Sequence, residues 1–147
     1  MLPRWHIFWG IILVVVFKIA VPQITYLSLF LMWFASVFID FDHYLSSVIK
    51  TGNWSPIHAV KHNYSLREKI LTSRKNRDVC EKGDFHIFHT IESHLFVGII
   101  SIFIPLVFFV FIGMVFHSFM DIIWMVKNDV LESREFFLFN RLRMVFF

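Results

Sequence analysis

The chain has 147 residues, 57% of them hydrophobic and 17% charged, with a formal net charge of +3. That balance excludes an ordinary water-soluble domain and suggests a single domain, residues 1–147, built for a membrane. The one cysteine, Cys80, excludes an intramolecular disulfide framework and a cysteine-rich zinc site, so any metal must be held by His, Asp and Glu.

In chain order, residues 7–21 are apolar apart from Lys18. Arg4 before this run gives it the look of a signal sequence, but no small-x-small cleavage site follows, and it reads as a retained span. Pro22-Gln23 breaks the pattern and residues 24–39 are uncharged, which predicts a tight helical hairpin with spans near 5–21 and 24–41. Residues 44–91 form a polar, basic connecting segment. Within it, Ser55-Pro56 resembles an N-cap with proline at the first helical position. Ser65-Leu66-Arg67-Glu68 fits a capping box, which predicts a short helix to about Ser73. Residues 76–84 read as loop, and His86 reads as exposed. Residues 95–126 carry no charge before Asp121. Pro105 falls where a turn would be needed, so spans at 92–104 and 106–126 are expected, with one long kinked helix as the alternative. The tail 127–147 alternates charge with Phe, Leu and Val, and residues 132–147 suit an amphipathic helix on a membrane surface.

The expected fold is therefore all-α, an integral membrane bundle of about four transmembrane helices in two hairpins. In that topology Arg4, the eight Lys/Arg of the central segment, Lys127, Arg134, Arg141 and Arg143 share one side. These are thirteen of the fourteen lysines and arginines. The positive-inside rule then puts both termini and the central segment in the cytoplasm, at a plasma (inner) membrane. Anionic headgroups are the simplest partner for the basic central segment, and no nucleic acid is expected.

Ionisable residues gather at the same predicted end. Near a bilayer centre such groups cost about 2.5–3.5 kcal/mol each and are seldom without function. His117 and Asp121 lie at i, i+4 on one helical face, a spacing at which imidazole and carboxylate can share a divalent ion. Asp40-Phe41-Asp42-His43 closes the second apolar run, and Asp42 can face the same way as Asp40 and His43 only if the helix ends there. His89-Thr90-Ile91-Glu92-Ser93-His94 opens the third run, and His6 stands at the entry to the first. His58 and His62 also have metal spacing, but as a solvated helix face they are better explained without one.

Taken together, Asp40–His43, His89–Leu95 and Gly113–Asp121, with the early His6, resemble the YdjM-like membrane-bound metal-dependent hydrolases and, more distantly, zinc-dependent phospholipase C. The resemblance covers most of the chain and keeps the order of helices. It implies a metal centre with His6, Asp42, His89, His94, His117 and Asp121 as ligands, and Glu92 or Asp40 as the group taking a proton from water. Zinc, one or two ions, is the expected metal, with manganese, magnesium and iron as alternatives. A lipid or other phosphoester is the expected substrate. The competing expectations are a metal- or haem-binding membrane protein without hydrolysis, a metal transporter, and a structural membrane protein. A transporter needs polar groups along the whole path, and residues 7–17 and 97–116 offer no carboxylate.

Overall fold

A computed structural model describes residues 3–76, 78 and 82–146. Cys80 lies outside the described residues. Among those described, the structure is all-helical and contains no strand. The chain divides into two compact units, Met1–Ile39 with Glu92–Ile123, and Asp40–Ile91 with Trp124–Phe147.

The first unit holds α1 (Pro3–Ala20), α2 (Tyr26–Phe38), α5 (Ile91–Phe103) and most of α6 (Pro105–Lys127). The link between α1 and α2 is closed by Lys18, whose Nζ donates to Pro22 O at 2.7 Å and Ile24 O at 3.1 Å. Thr25 then caps α2, its Oγ1 accepting from Ser28 N–H at 3.2 Å. Proline at the first position of α6 forces the second turn, so only Ile104 joins α5 to α6. The two form a hairpin rather than one kinked helix: Gly98 abuts the Phe111 ring, and four residues earlier on α5 the His94 ring meets Ser118, further along α6.

Close approach is made possible by glycine. A Cβ on Gly113 would lie 2.2 Å from the carbonyl oxygen of Met32 and 3.0 Å from Ala35 Cβ, so the α6 backbone runs directly against α2. Around this crossing Ala35, Ile39 and Met114 form the core, backed by Val97 and Val110. The outer faces carry exposed Val15, Val16, Ile19, Phe96, Ile102 and Phe103. The four predicted spans thus exist as helices of 18, 13, 13 and 23 residues. Two of them, α1 and α6, are long and apolar enough to cross a membrane. At 1.5 Å per residue the 13-residue helices rise only about 20 Å, short of a hydrocarbon core about 30 Å thick.

The second unit corrects several expectations. The segment after Ile39 carries a helix not expected from the sequence: α3 (Phe41–Thr51) begins immediately and ends at Gly52, whose φ of +70° closes it in the left-handed region. Ser55 caps α4 (Pro56–Lys75) with Pro56 at its start, as read from the sequence, but the helix runs unbroken for 20 residues. Ser65 therefore lies in a helix interior. Its capping-box match fails because the Ser55-Pro56 signal comes first and no Gly or Pro follows to stop the helix. Asn63 ties α4 to α3 by donating to His43 O at 3.3 Å. In the tail, α7 (Leu138–Phe146) is a nine-residue helix, and residues 134–137 are not helical, so the predicted surface helix is shorter than expected.

Candidate metal centre

Each unit contains its own His/Asp cluster. In the second unit, α2 has ended one turn before, and Asp40 and Ile39 both take αR geometry as the chain redirects into α3. That break lets Asp40, Asp42 and His43 serve one cluster, as the sequence required. Asp40 Oδ1 lies 3.3 Å from His43 Nε2 and 3.8 Å from His89 Nε2. The three ligand atoms all fall within 4.8 Å of one another. Nitrogen and oxygen ligands 2.0–2.2 Å from one tetrahedral ion stand about 3.4 Å apart, so this triangle is near the size a zinc-like ion needs. Its side chains grade outward, with His89 at 0%, Asp40 at 16% and His43 at 30% exposure.

Asp42 stands behind His89. Its Oδ2 accepts from His89 Nδ1 at 3.2 Å and from Phe88 N–H at 2.9 Å. A proton held on Nδ1 leaves the lone pair on Nε2, the nitrogen in the triangle, an arrangement typical of histidines that ligate metal. Burial pushes the Asp42 carboxyl up from its ordinary range, against the pull of His86, His43 and the Phe88 N–H. His86, expected to be exposed, is buried, with Nδ1 3.6 Å from Asp42 Oδ1 and 3.3 Å from Ser46 Oγ. Burial and the neighbouring His43 hold His86 well below the usual imidazole range, so it is neutral at pH 7.

A second set, Asp42, His43 and His86, also brings its ligand atoms within 4.8 Å of one another. Ring geometry decides against it. The His43 and His86 centroids are 3.7 Å apart, whereas two imidazoles on one tetrahedral ion stand about 5 Å apart. The His43 and His89 centroids are 5.3 Å apart, which fits. In the Asp40–His43–His89 triangle, Asp40 is the carboxylate beside both Nε2 atoms, and Asp42 bonds the other ring nitrogen of His89.

In the first unit, His6 and His117 are buried and stacked, with centroids 3.8 Å apart and planes at 14°. Buried Asp121 serves both, its Oδ1 3.2 Å from His6 Nε2 and its Oδ2 3.6 Å from His117 Nε2. His117 Nδ1–H donates to Ser36 O at 2.7 Å, which again leaves the lone pair on Nε2. The close crossing at Gly113 sets that bond one turn further along α6. His94 Nε2 lies 3.0 Å from Ser118 Oγ and 3.3 Å from Met114 O. Glu92 lies half-buried in the first turn of α5, where a carboxylate also complements the helix N-terminus.

The segment bearing His86 and His89 is tied down by Asp84. Its buried carboxylate receives Lys50 Nζ at 2.6 Å and His62 Nε2 at 2.8 Å, which accounts for His62 without a metal. Burial raises the Asp84 carboxyl, but the bonds from Lys50 and His62 outweigh it and leave it below its ordinary value. Its stabilising contribution is therefore complete above the unfolded value, about pH 4, and is lost as pH falls through the lower folded value. Asp84→Asn should cost on the order of 1 kcal/mol at neutral pH, since Lys50 is largely exposed. Thermal unfolding of both proteins from pH 7 down to pH 3 checks this: the gap between them should narrow in acid, and a constant gap would contradict the assignment.

Comparison with family models, with curated proteins and with solved structures finds no match.

Proposed function

We propose that this chain is a membrane-bound, divalent-metal-dependent hydrolase acting on a lipid or lipid-linked phosphoester. The observation that carries the reading is the Asp40–His43–His89 triangle with Asp42 behind His89. An imidazole-rich set completed by a carboxylate favours a borderline ion, zinc first, over magnesium or calcium. His6, His117 and Asp121 form a second buried imidazole–carboxylate group, but the stacked rings, with centroids 3.8 Å apart, stand too close for both to ligate one tetrahedral ion. Lewis-acid activation of water and of a phosphoryl or acyl oxygen is the chemistry such an ion supplies when bound. A role for Glu92 in taking the proton from water is implied by the resemblance alone. The helices α1, α2, α5 and α6 are read as four spans of an inner-membrane bundle, with both termini and residues 44–91 on the cytoplasmic side. The resemblance to the YdjM-like hydrolases supports the same reading.

The test is phosphate-ester release from a panel of phospholipids and lipid-linked phosphates by the detergent-purified protein. Release should vanish on chelation, return with zinc, and be absent in Asp40→Ala. Bound metal with no release from any lipid would leave a metal-binding membrane protein without hydrolysis. Absence of metal from protein purified with zinc supplied would sink the proposal.

A further inference from the structure

The corner between α3 and α4 exposes large apolar side chains in a segment that is otherwise basic. Ile49 is 85% exposed, Trp54 73% and Ile57 70%, and Val60 and Tyr64 are also exposed. Ile57, Val60 and Tyr64 recur at helical spacing, so they line one outward face of α4, opposite buried Ala59. The corner is not a loose loop. Gly52 N–H donates to Val48 O at 2.8 Å, Ser55 N–H to Asn53 Oδ1 at 2.9 Å, and Tyr44 OH to Trp54 O at 2.8 Å. The apolar residues are therefore presented by an ordered backbone, and little ordering entropy remains to oppose their burial.

Further along α4, Lys61 and Lys75 are exposed on the same outward side, and Lys69 is exposed roughly a third of a turn round from it, against one carboxylate, Glu68. An apolar half with Trp and Tyr, continued by lysines, has the chemistry of a helix lying in the interface of a negatively charged bilayer. A second copy of the chain is a poorer occupant, because pairing this face with itself would bring the lysines of both copies together.

We propose that the α3–α4 corner docks onto anionic lipid at the membrane surface, with Trp54, Ile57 and Val60 entering the headgroup region and Lys61, Lys69 and Lys75 meeting lipid phosphates. It rests on the membrane placement proposed above and is independent of the metal.

The test uses the full chain in lipid nanodiscs, with Cys80→Ser as background and one environment-sensitive fluorophore attached through Ile57→Cys, Thr72→Cys or Val16→Cys. Discs contain spin-labelled lipid in phosphatidylcholine, with or without phosphatidylglycerol. The label at 57 should lose emission to the lipid quencher, more so with phosphatidylglycerol, while the label at 72, among the lysines at headgroup level, should lose less. The label at 16, on α1, reports the span itself. Loss at 16 with none at 57, and with 57 open to aqueous iodide, overturns the docking but leaves the membrane reading intact. No loss at either position overturns both. Loss at 57 that tracks the number of copies per disc makes a second copy the occupant and overturns the lipid assignment. Equal loss in the two lipid mixtures overturns the choice of an anionic surface. Reversing Lys61, Lys69 and Lys75 to Glu should abolish the phosphatidylglycerol effect. Should that variant not fold, the comparison of lipids with the native lysines still decides.

Discussion

Asp40→Ala, His43→Ala and His89→Ala should each strip the metal from the second-unit cluster, whereas Asp42→Asn should keep it at about 10–100-fold weaker affinity. The difference follows from position. Asp40 Oδ1 lies beside both Nε2 atoms, at 3.3 and 3.8 Å, so removing it deletes a ligand. Asp42 touches His89 at the opposite ring nitrogen and anchors the Phe88 N–H. Its amide variant keeps one acceptor oxygen but no charge, so the ring is held less firmly and its ligating nitrogen becomes less basic. Metal content by mass spectrometry on detergent-purified proteins, followed by titration against a chelator of known affinity, separates the two effects. Asp42→Asn devoid of metal beside a fully loaded Asp40→Asn would reverse the assignment of ligand and orienting group.

The second large effect is expected at Gly113. Even alanine there would place a carbon 2.2 Å from the Met32 carbonyl oxygen, a backbone atom that cannot rotate away. The crossing of α2 and α6 would have to open. Overpacking of this kind costs about 1–3 kcal/mol. Valine should exceed that range, with most of the protein lost as aggregate during extraction. Gly98→Ala is the control. Its nearest neighbour is the Phe111 ring, with Cε2 at 3.2 Å, which can tilt, so its cost should be smaller. Thermal unfolding in one detergent, with size-exclusion recovery, ranks the three variants. Gly113→Ala with wild-type stability would mean that the helices do not pack as closely as described. The same substitution should also disturb His117, whose bond to Ser36 O depends on that approach.

Much of this was legible in the sequence, and the exceptions have identifiable causes. Pro22 and Pro105 marked both turns of the first unit because proline cannot continue a helix. The pairing of His117 with Asp121 followed from helical spacing alone. The break after Phe38 carried no Gly or Pro, so it could be inferred only from the need to bring Asp42 round to Asp40 and His43. The role of Asp42 behind His89 was beyond reach, because it depends on which ring nitrogen faces which carboxylate. His86 was misread as exposed, since its cover comes from Ser46 and Asp42 on α3, far away in sequence. The run beginning at Ser65 shows the opposite error: a sound local motif overridden by an earlier helix start.

The contact of His6 with Asp121 joins residues far apart in the sequence, while the α1–α2 and α5–α6 hairpins close over very short links. Hairpins of that kind form early, because little loop entropy opposes them; distant contacts come late. As the ribosome releases the chain, His6 emerges long before α6 and must wait for it. Only when α6 has been made can Asp121 reach it. Synthesis itself thus acts as a timer, and a nascent or truncated chain that has lost α6 lacks this cluster, however well its first hairpin has folded.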